Sequence, residues 1–157
     1  MDHPVPDPTR PRLQGCTNFK LRQLGRRVSQ RYDEELAKAG LKTTQYSLLT
    51  SVLRLGPIRP GDLARTMAMD ASTLTRNLKP LIHAGWVELG AGEDGRSRLV
   101  HITDSGREKR ADAQRRWRVA QESMNERLGA DRVVALHAMI DESMALLDRT
   151  PAGDDDD

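Results

Sequence analysis

Residues Pro60 to Ala84 read PGDLARTMAMDASTLTRNLKPLIHA, and this stretch decides the fold. Pro60 suits the first turn of a short helix running to about Met67. Ala68-Met69 then joins it to a second helix that Asp70 can cap. Leu74, Leu78, Leu81 and Ile82 fall on one face of that second helix. Ser72, Thr75, Arg76 and Lys79 fall on the opposite face, and Gly85 ends it. Short hydroxyls can approach phosphates or base edges, and arginine can grip guanine through two hydrogen bonds, so the polar face suits a DNA major groove. An ordinary solvated face is the bland alternative, and for one amphipathic helix alone it is the commoner case.

The residues that follow change the balance. Val87 and Leu89 alternate with Glu88, the run GAGEDG occupies 90–95, and Arg98-Leu99-Val100-His101-Ile102 resumes the alternation. Two short alternating runs around a glycine-rich loop predict a β-hairpin. Its tip holds Asp94, Gly95, Arg96, Ser97 and Arg98. An arginine there can enter a minor groove, where the potential is most negative, and Asp94 can orient Arg96 by a charge-assisted bond. A basic-tipped hairpin directly after such a helix makes a mere solvated turn the weaker reading.

Outward from this core the periodicity is helical. Leu21, Leu24, Val28, Tyr32 and Leu36 stripe a first helix, for which Thr17 is a candidate cap and Gly40 the stop. Thr43 is expected to cap a second helix carrying Tyr46, Leu49, Val52 and Leu53, ended by Gly56-Pro57. Past the hairpin, Thr103 caps a long helix with Ala113, Trp117, Ala120, Met124 and Leu128 on one stripe. After Gly129 a last helix aligns Val133, Leu136, Ile140, Met144 and Leu147. The predicted class is mainly α with a small β part, in the order ααααββαα. It comprises a winged helix-turn-helix lobe at about 43–103 and dimerisation helices at about 17–39 and 104–148, together one domain over 15–150. Residues 1–14 read as a flexible proline-rich arm and 151–157 as a disordered acidic tail. The outer stripes exceed what the small lobe can cover, and one winged module offers too few contacts for a specific site. Both point to a homodimer, its recognition helices about 34 Å apart.

Residues from about 16 to 148 resemble MarR-type winged-helix transcriptional regulators. The resemblance is carried by Leu41 to Tyr46, Leu63-Ala64, Ser72-Thr73-Leu74-Thr75-Arg76, Gly85-Trp86-Val87, and above all Asp94-Gly95-Arg96-Ser97-Arg98 with Leu99, Ile102-Thr103 and Gly106. It implies that the helix with Ser72, Thr73, Thr75, Arg76 and Lys79 reads the major groove and that Asp94, Arg96 and Arg98 form the wing. It further implies a homodimer on double-stranded, pseudo-palindromic operator DNA, usually repressing until a small ligand or oxidation releases it.

Composition agrees with a DNA partner without demanding one. The 157 residues carry a net charge of +2, but Asp154 to Asp157 hold −4, which leaves +6 on the rest. Aromatics are only 3%, so the core must be aliphatic. No apolar run approaches the ~20 residues that span a bilayer, and MDHPVPDPTR lacks an apolar signal core. A cytoplasmic protein with no membrane partner is expected. One cysteine and four scattered histidines give no disulfide framework and no metal site; His83 and His101 read as surface or DNA-proximal. No catalytic constellation or cofactor site is legible. Gly90-Ala91-Gly92-Glu93-Asp94-Gly95 matches G-x-G-x-x-G, but it leads into a strand pattern rather than a helix, and two acids sit where a pyrophosphate would approach. A dinucleotide-binding enzyme is therefore the weaker reading.

For an effector, Phe19, Tyr32, Tyr46 and Trp117 are candidates to line a pocket between the outer helices and the lobe, with Arg22 or Arg26 for an anionic group. Simple core packing is the alternative for each aromatic. Cys16 at the start of the first helix, near Lys20 and Arg22, suggests thiol-based redox sensing as an alternative, since a helix N-terminus favours the thiolate. An inert interface cysteine is the counter-reading.

Overall fold

A computed structural model describes residues 15–92, 95 and 97–148. The expected arm and acidic tail lie outside the described residues. The chain forms α1 (Thr17–Leu36) with a trailing 3-10 turn (Ala37–Ala39), α2 (Thr43–Leu55), α3 (Pro60–Thr66) and α4 (Ala71–His83). These are followed by β1 (Val87–Ala91), β2 (Arg98–Ile102), α5 (Asp104–Leu128) and α6 (Ala130–Leu147). This is a winged helix held between longer helices, in the order the periodicity predicts.

The α1 stop follows from backbone chemistry. Gly40 adopts a left-handed φ of +70°, and the Leu41 amide reaches back to Leu36 O at 3.1 Å. That closes the helix end and brings Leu36 and Leu41, both buried, against the lobe. Two caps differ from expectation. Cys16, not Thr17, occupies the α1 cap position, and its side chain makes no cap bond. Lys42 precedes α2, its amide donating to Gln45 Oε1 at 2.8 Å. Thr43 is drawn aside because its amide and hydroxyl both donate to Asp33 Oδ1 at 2.7 Å, tying the start of α2 to α1.

The core is aliphatic, as so few aromatics require. Leu36, Leu48, Leu49, Val52, Leu63, Leu74, Leu81, Val87 and Val100 are fully covered. They come from α1, α2, α3, α4 and both strands, so one cluster welds α4 and the hairpin into a unit. Each contributes about 1.5–3 kcal/mol by leaving water. Ile82 was expected inward with Leu81 but is exposed, as is Leu89. Leu81 faces the core, whereas Ile82, one residue further round the helix, borders an open groove together with Leu89.

β1 and β2 pair antiparallel from Val87↔Ile102 to Ala91↔Arg98. Ile58 adds a one-residue third strand, exchanging two backbone hydrogen bonds with Val100 at 2.8 and 3.2 Å. Helix α5 spans the molecule. Ala113, Ala120 and Met124 are buried along it, and Trp117 stacks on Tyr46 with ring centroids 6.2 Å apart. Arg110 donates to Thr50 Oγ1 at 3.3 Å and to Gln114 Oε1 at 2.6 Å, and lies over the Tyr46 ring. Helix α6 is different: none of its residues is buried, and Val134, Met139, Met144, Leu146 and Leu147 stand exposed. Leu21 and Leu24 of α1 are exposed likewise.

Candidate nucleic-acid interface

Helix α4 is oriented by its own sequence. Leu74, Leu78 and Leu81 are buried, which turns Ser72, Thr75, Arg76 and Lys79 to solvent. The preceding turn is tight. Ala68 takes a left-handed φ of +50°, the Met69 amide bonds Ala64 O at 2.9 Å, and the Ala68 amide bonds Arg65 O at 3.1 Å. The two short helices thus meet at a fixed angle with Leu63 and Ala64 buried between them.

Asp70 caps α4 as expected, and more fully than a single bond. Its Oδ1 accepts the Thr73 amide at 2.7 Å and the Ser72 hydroxyl at 2.6 Å, while Oδ2 accepts the Thr73 hydroxyl at 2.7 Å. The Ser72 hydroxyl, then the Thr73 hydroxyl and amide, hold this carboxyl well below the usual carboxylate range. The Thr75 hydroxyl donates to Ala71 O at 2.8 Å, and Arg76 Nη2 donates to Thr73 Oγ1 at 3.4 Å.

The hairpin is anchored at its base by α5. Thr103 accepts the Gly106 amide at 3.0 Å, and its hydroxyl donates to Gly85 O at 2.7 Å. The Thr103 amide bonds Trp86 O at 3.1 Å, and the Ser105 hydroxyl bonds Gly85 O at 2.9 Å. Gly106 permits this approach, because a Cβ there would stand 2.0 Å from Trp86 O. The glycine motif is structural as well. Gly90 pairs with Leu99 in the hairpin under the His101 ring, and the Gly92 amide bonds Ser97 O at 2.7 Å. It runs from strand to strand, so the helix N-terminus a dinucleotide needs does not follow it. Arg98 is exposed at the far end of the ladder; Asp94 and Arg96 lie outside the described residues. Among the described residues neither Lys79 nor Arg98 has an acidic partner: the ion pairs are Lys38–Glu35, Arg65–Asp62 and Arg115–Asp112. Their charge is available to an outside anion.

Residues 39–97 match the model of the MarR family. The HTH-type transcriptional regulator YwoH of Bacillus subtilis is 31% identical over 90 residues, covering 57% of this chain and 66% of its own. The multiple antibiotic resistance protein MarR of Salmonella typhimurium is 35% identical over 72 residues, 45% of this chain and 50% of its own. The chain thus spans between half and two thirds of the length of these curated relatives. In three dimensions, the M. tuberculosis transcriptional regulator MosR in complex with DNA superposes with a TM-score of 0.68 at 28% identity, over 83% of this chain and 98% of that one. The chain belongs to the MarR family.

For a MarR-family chain the five expected effector residues are scattered. Tyr46 is buried against Trp117 in the core. Phe19 is 57% exposed near the start of α1. Arg22 lies with Arg26, Asp33 and Glu34 along an open groove on α1. Tyr32 donates to Gln121 Oε1 at 2.7 Å and faces a different groove, about 290 Å³, lined mostly by apolar residues of α1, α5 and α6 with Gln121, Asn125 and His137 among them. Burial raises its pKa. What the sequence reading missed is a third groove of about 690 Å³ beside α4, bounded by Pro60, Thr75, Lys79, Ile82, His83 and Leu89. The exposure of Ile82 and Leu89 creates it. An apolar residue too many on each element was the available signal. Cys16 is exposed at the head of α1. Among the described residues no His, Cys, Asp and Glu group could hold a metal, and no helix is long and apolar enough to cross a membrane.

Proposed function

We propose that this protein is a sequence-specific DNA-binding transcriptional regulator that works as a homodimer and represses until a small ligand displaces it. The observation that carries the reading is the fixed pairing of α4 and hairpin. The exposed Ser72, Thr75, Arg76 and Lys79 share a core with the strand that presents Arg98. Helix α4 offers donors and acceptors to base edges, and Arg98 with the wing tip offers cations to the flanking backbone. The uncovered apolar faces of α1 and α6 support self-association, since leaving such a stripe in water is unfavourable. MosR, solved in complex with DNA, shares the fold over nearly its whole length.

Ligand control would act through geometry. An effector that favours one separation of the two lobes, and DNA that favours another, weaken each other's binding reciprocally. The groove at Pro60, Thr75, Arg76, Lys79 and Leu89 is the better candidate for an anionic, partly apolar effector, because it pairs Arg76 and Lys79 with apolar walls and adjoins the α4 face. The five residues named from sequence do not share one cavity. A second reading, redox sensing through Cys16, is favoured by the exposure of the thiol at the head of α1.

Selection from random duplex DNA tests the whole. The expected result is a pseudo-palindromic site bound by a dimer, with affinity falling steeply as salt rises. Monomeric protein that enriches no sequence at low ionic strength refutes the proposal. Cys16→Ser protein with an undiminished response to peroxide ends the redox reading.

A further inference from the structure

The three hydroxyls on or beside the exposed face of α4 share one property. Ser72 and Thr73 direct their protons to Asp70, and Thr75 directs its proton to Ala71 O. A hydroxyl has one proton and two lone pairs. With the proton committed to its own helix, each oxygen meets its surroundings as an acceptor only. Phosphate oxygens are acceptors too, so these groups are mismatched to the DNA backbone. The Asp70 carboxylate also fills the N-terminus of α4, the place on a helix that would otherwise attract phosphate. Exocyclic amino groups in the major groove, N6 of adenine and N4 of cytosine, are donors and fit such oxygens. Thr73 Oγ1 already shows the pattern by accepting from Arg76 Nη2.

We infer that Asp70 is a positioning residue for sequence discrimination: by holding the Ser72 and Thr73 protons it turns both oxygens into acceptors for base amino groups. The inference rests on the DNA-binding reading above and assigns the kind of base edge that the start of α4 meets. Arg76 and Lys79 retain the donor role toward guanine and phosphate.

The test compares wild type, Asp70→Asn and Ser72→Ala on the duplex selected by wild-type protein and on a scrambled duplex. Asparagine still offers one oxygen for the Thr73 amide. Its amino group cannot accept, so a hydroxyl proton is released outward, and a negative charge near the phosphates disappears. Asp70→Asn should bind the scrambled duplex more tightly than wild type and lose about tenfold in discrimination, the scale of one base contact. Ser72→Ala should lose discrimination of similar size, its affinity for the selected duplex falling more than its affinity for scrambled DNA. Operators in which single adenines are replaced by purine lacking the N6 amino group, or single cytosines by an analogue lacking the N4 amino group, localise the effect. At one or more positions the replacement should weaken wild type about tenfold and Asp70→Asn much less. Equal weakening of Asp70→Asn on both duplexes, with a lower melting temperature, makes Asp70 a structural cap alone and overturns the inference. So does discrimination unchanged in either variant. Wild-type protein that prefers no duplex defeats the regulator reading itself, a failure visible before any variant is made.

Discussion

Gly106→Ala is the sharpest perturbation of the wing. The added Cβ would stand 2.0 Å from Trp86 O and 2.9 Å from Ile102 Cγ1. The nearer atom is backbone, so no side-chain rotation can relieve the clash. Helix α5 must move away from the hairpin base by more than about 1 Å to restore ordinary contact. Three hydrogen bonds span that gap: Thr103 amide to Trp86 O, Thr103 hydroxyl to Gly85 O, and Ser105 hydroxyl to Gly85 O. At about 1 kcal/mol net for each, their loss amounts to about 3 kcal/mol. For a chain of this size that lowers Tm by about 6–12 °C. Thermal unfolding followed by circular dichroism measures the loss, and fluorescence anisotropy on the selected operator should show weaker binding, because the strand carrying Arg98 loses its support. A variant melting within about 1 °C of wild type and binding the operator equally well would show that α5 does not brace the wing.

Three further outcomes are expected. Ala68→Gly relieves a left-handed φ in the turn before α4 and should raise stability by about 0.5–1 kcal/mol in urea denaturation; a lower midpoint contradicts the strain argument. The depressed Asp70 pKa stabilises the folded state above the unfolded carboxyl pKa of about 3.9, a gain lost as pH falls below it. The melting-temperature gap between wild type and Asp70→Asn should therefore narrow between pH 5 and pH 2.5, and a constant gap rejects the assignment. Arg110→Met keeps bulk over Tyr46 but removes the links to Thr50 and Gln114. It should lower Tm by several degrees, and if the α5–α2 strut sets the lobe orientation it should also weaken the operator complex more than the scrambled one.

Much of this fold is written in local pattern. Leucines at 74, 78 and 81 with Asp70 before them place and orient α4 without reference to the rest of the chain. Thr103 and Gly106 mark the start of α5 in the same way. What escaped the sequence reading depends on contacts distant along the chain. Thr43 has good capping chemistry, yet Asp33 of the preceding helix captures it. Ile82 and Leu89 match an inward pattern, but the lobe lacks a second layer to cover them, and their exposure forms a groove instead. The five candidate effector residues share a suitable chemistry but not a common location. Periodicity states which face a residue occupies, not which neighbour that face meets, so the separation of Phe19, Tyr32 and Tyr46 into different surroundings could not be read from spacing. The hydroxyl orientations at Ser72 and Thr73 are likewise invisible until the carboxylate that receives them is in place.

The final helix has an energetic consequence of its own. A segment of 18 residues with no side chain buried in its own chain draws little stability from intramolecular packing, and helices of that length are marginal alone in water. In the proposed homodimer its order would come by mass action from association, so folding and assembly would share one equilibrium and the unfolding midpoint should depend on protein concentration. Dilution alone should then unravel this part of the chain before the winged lobe, whose apolar centre is complete within one chain.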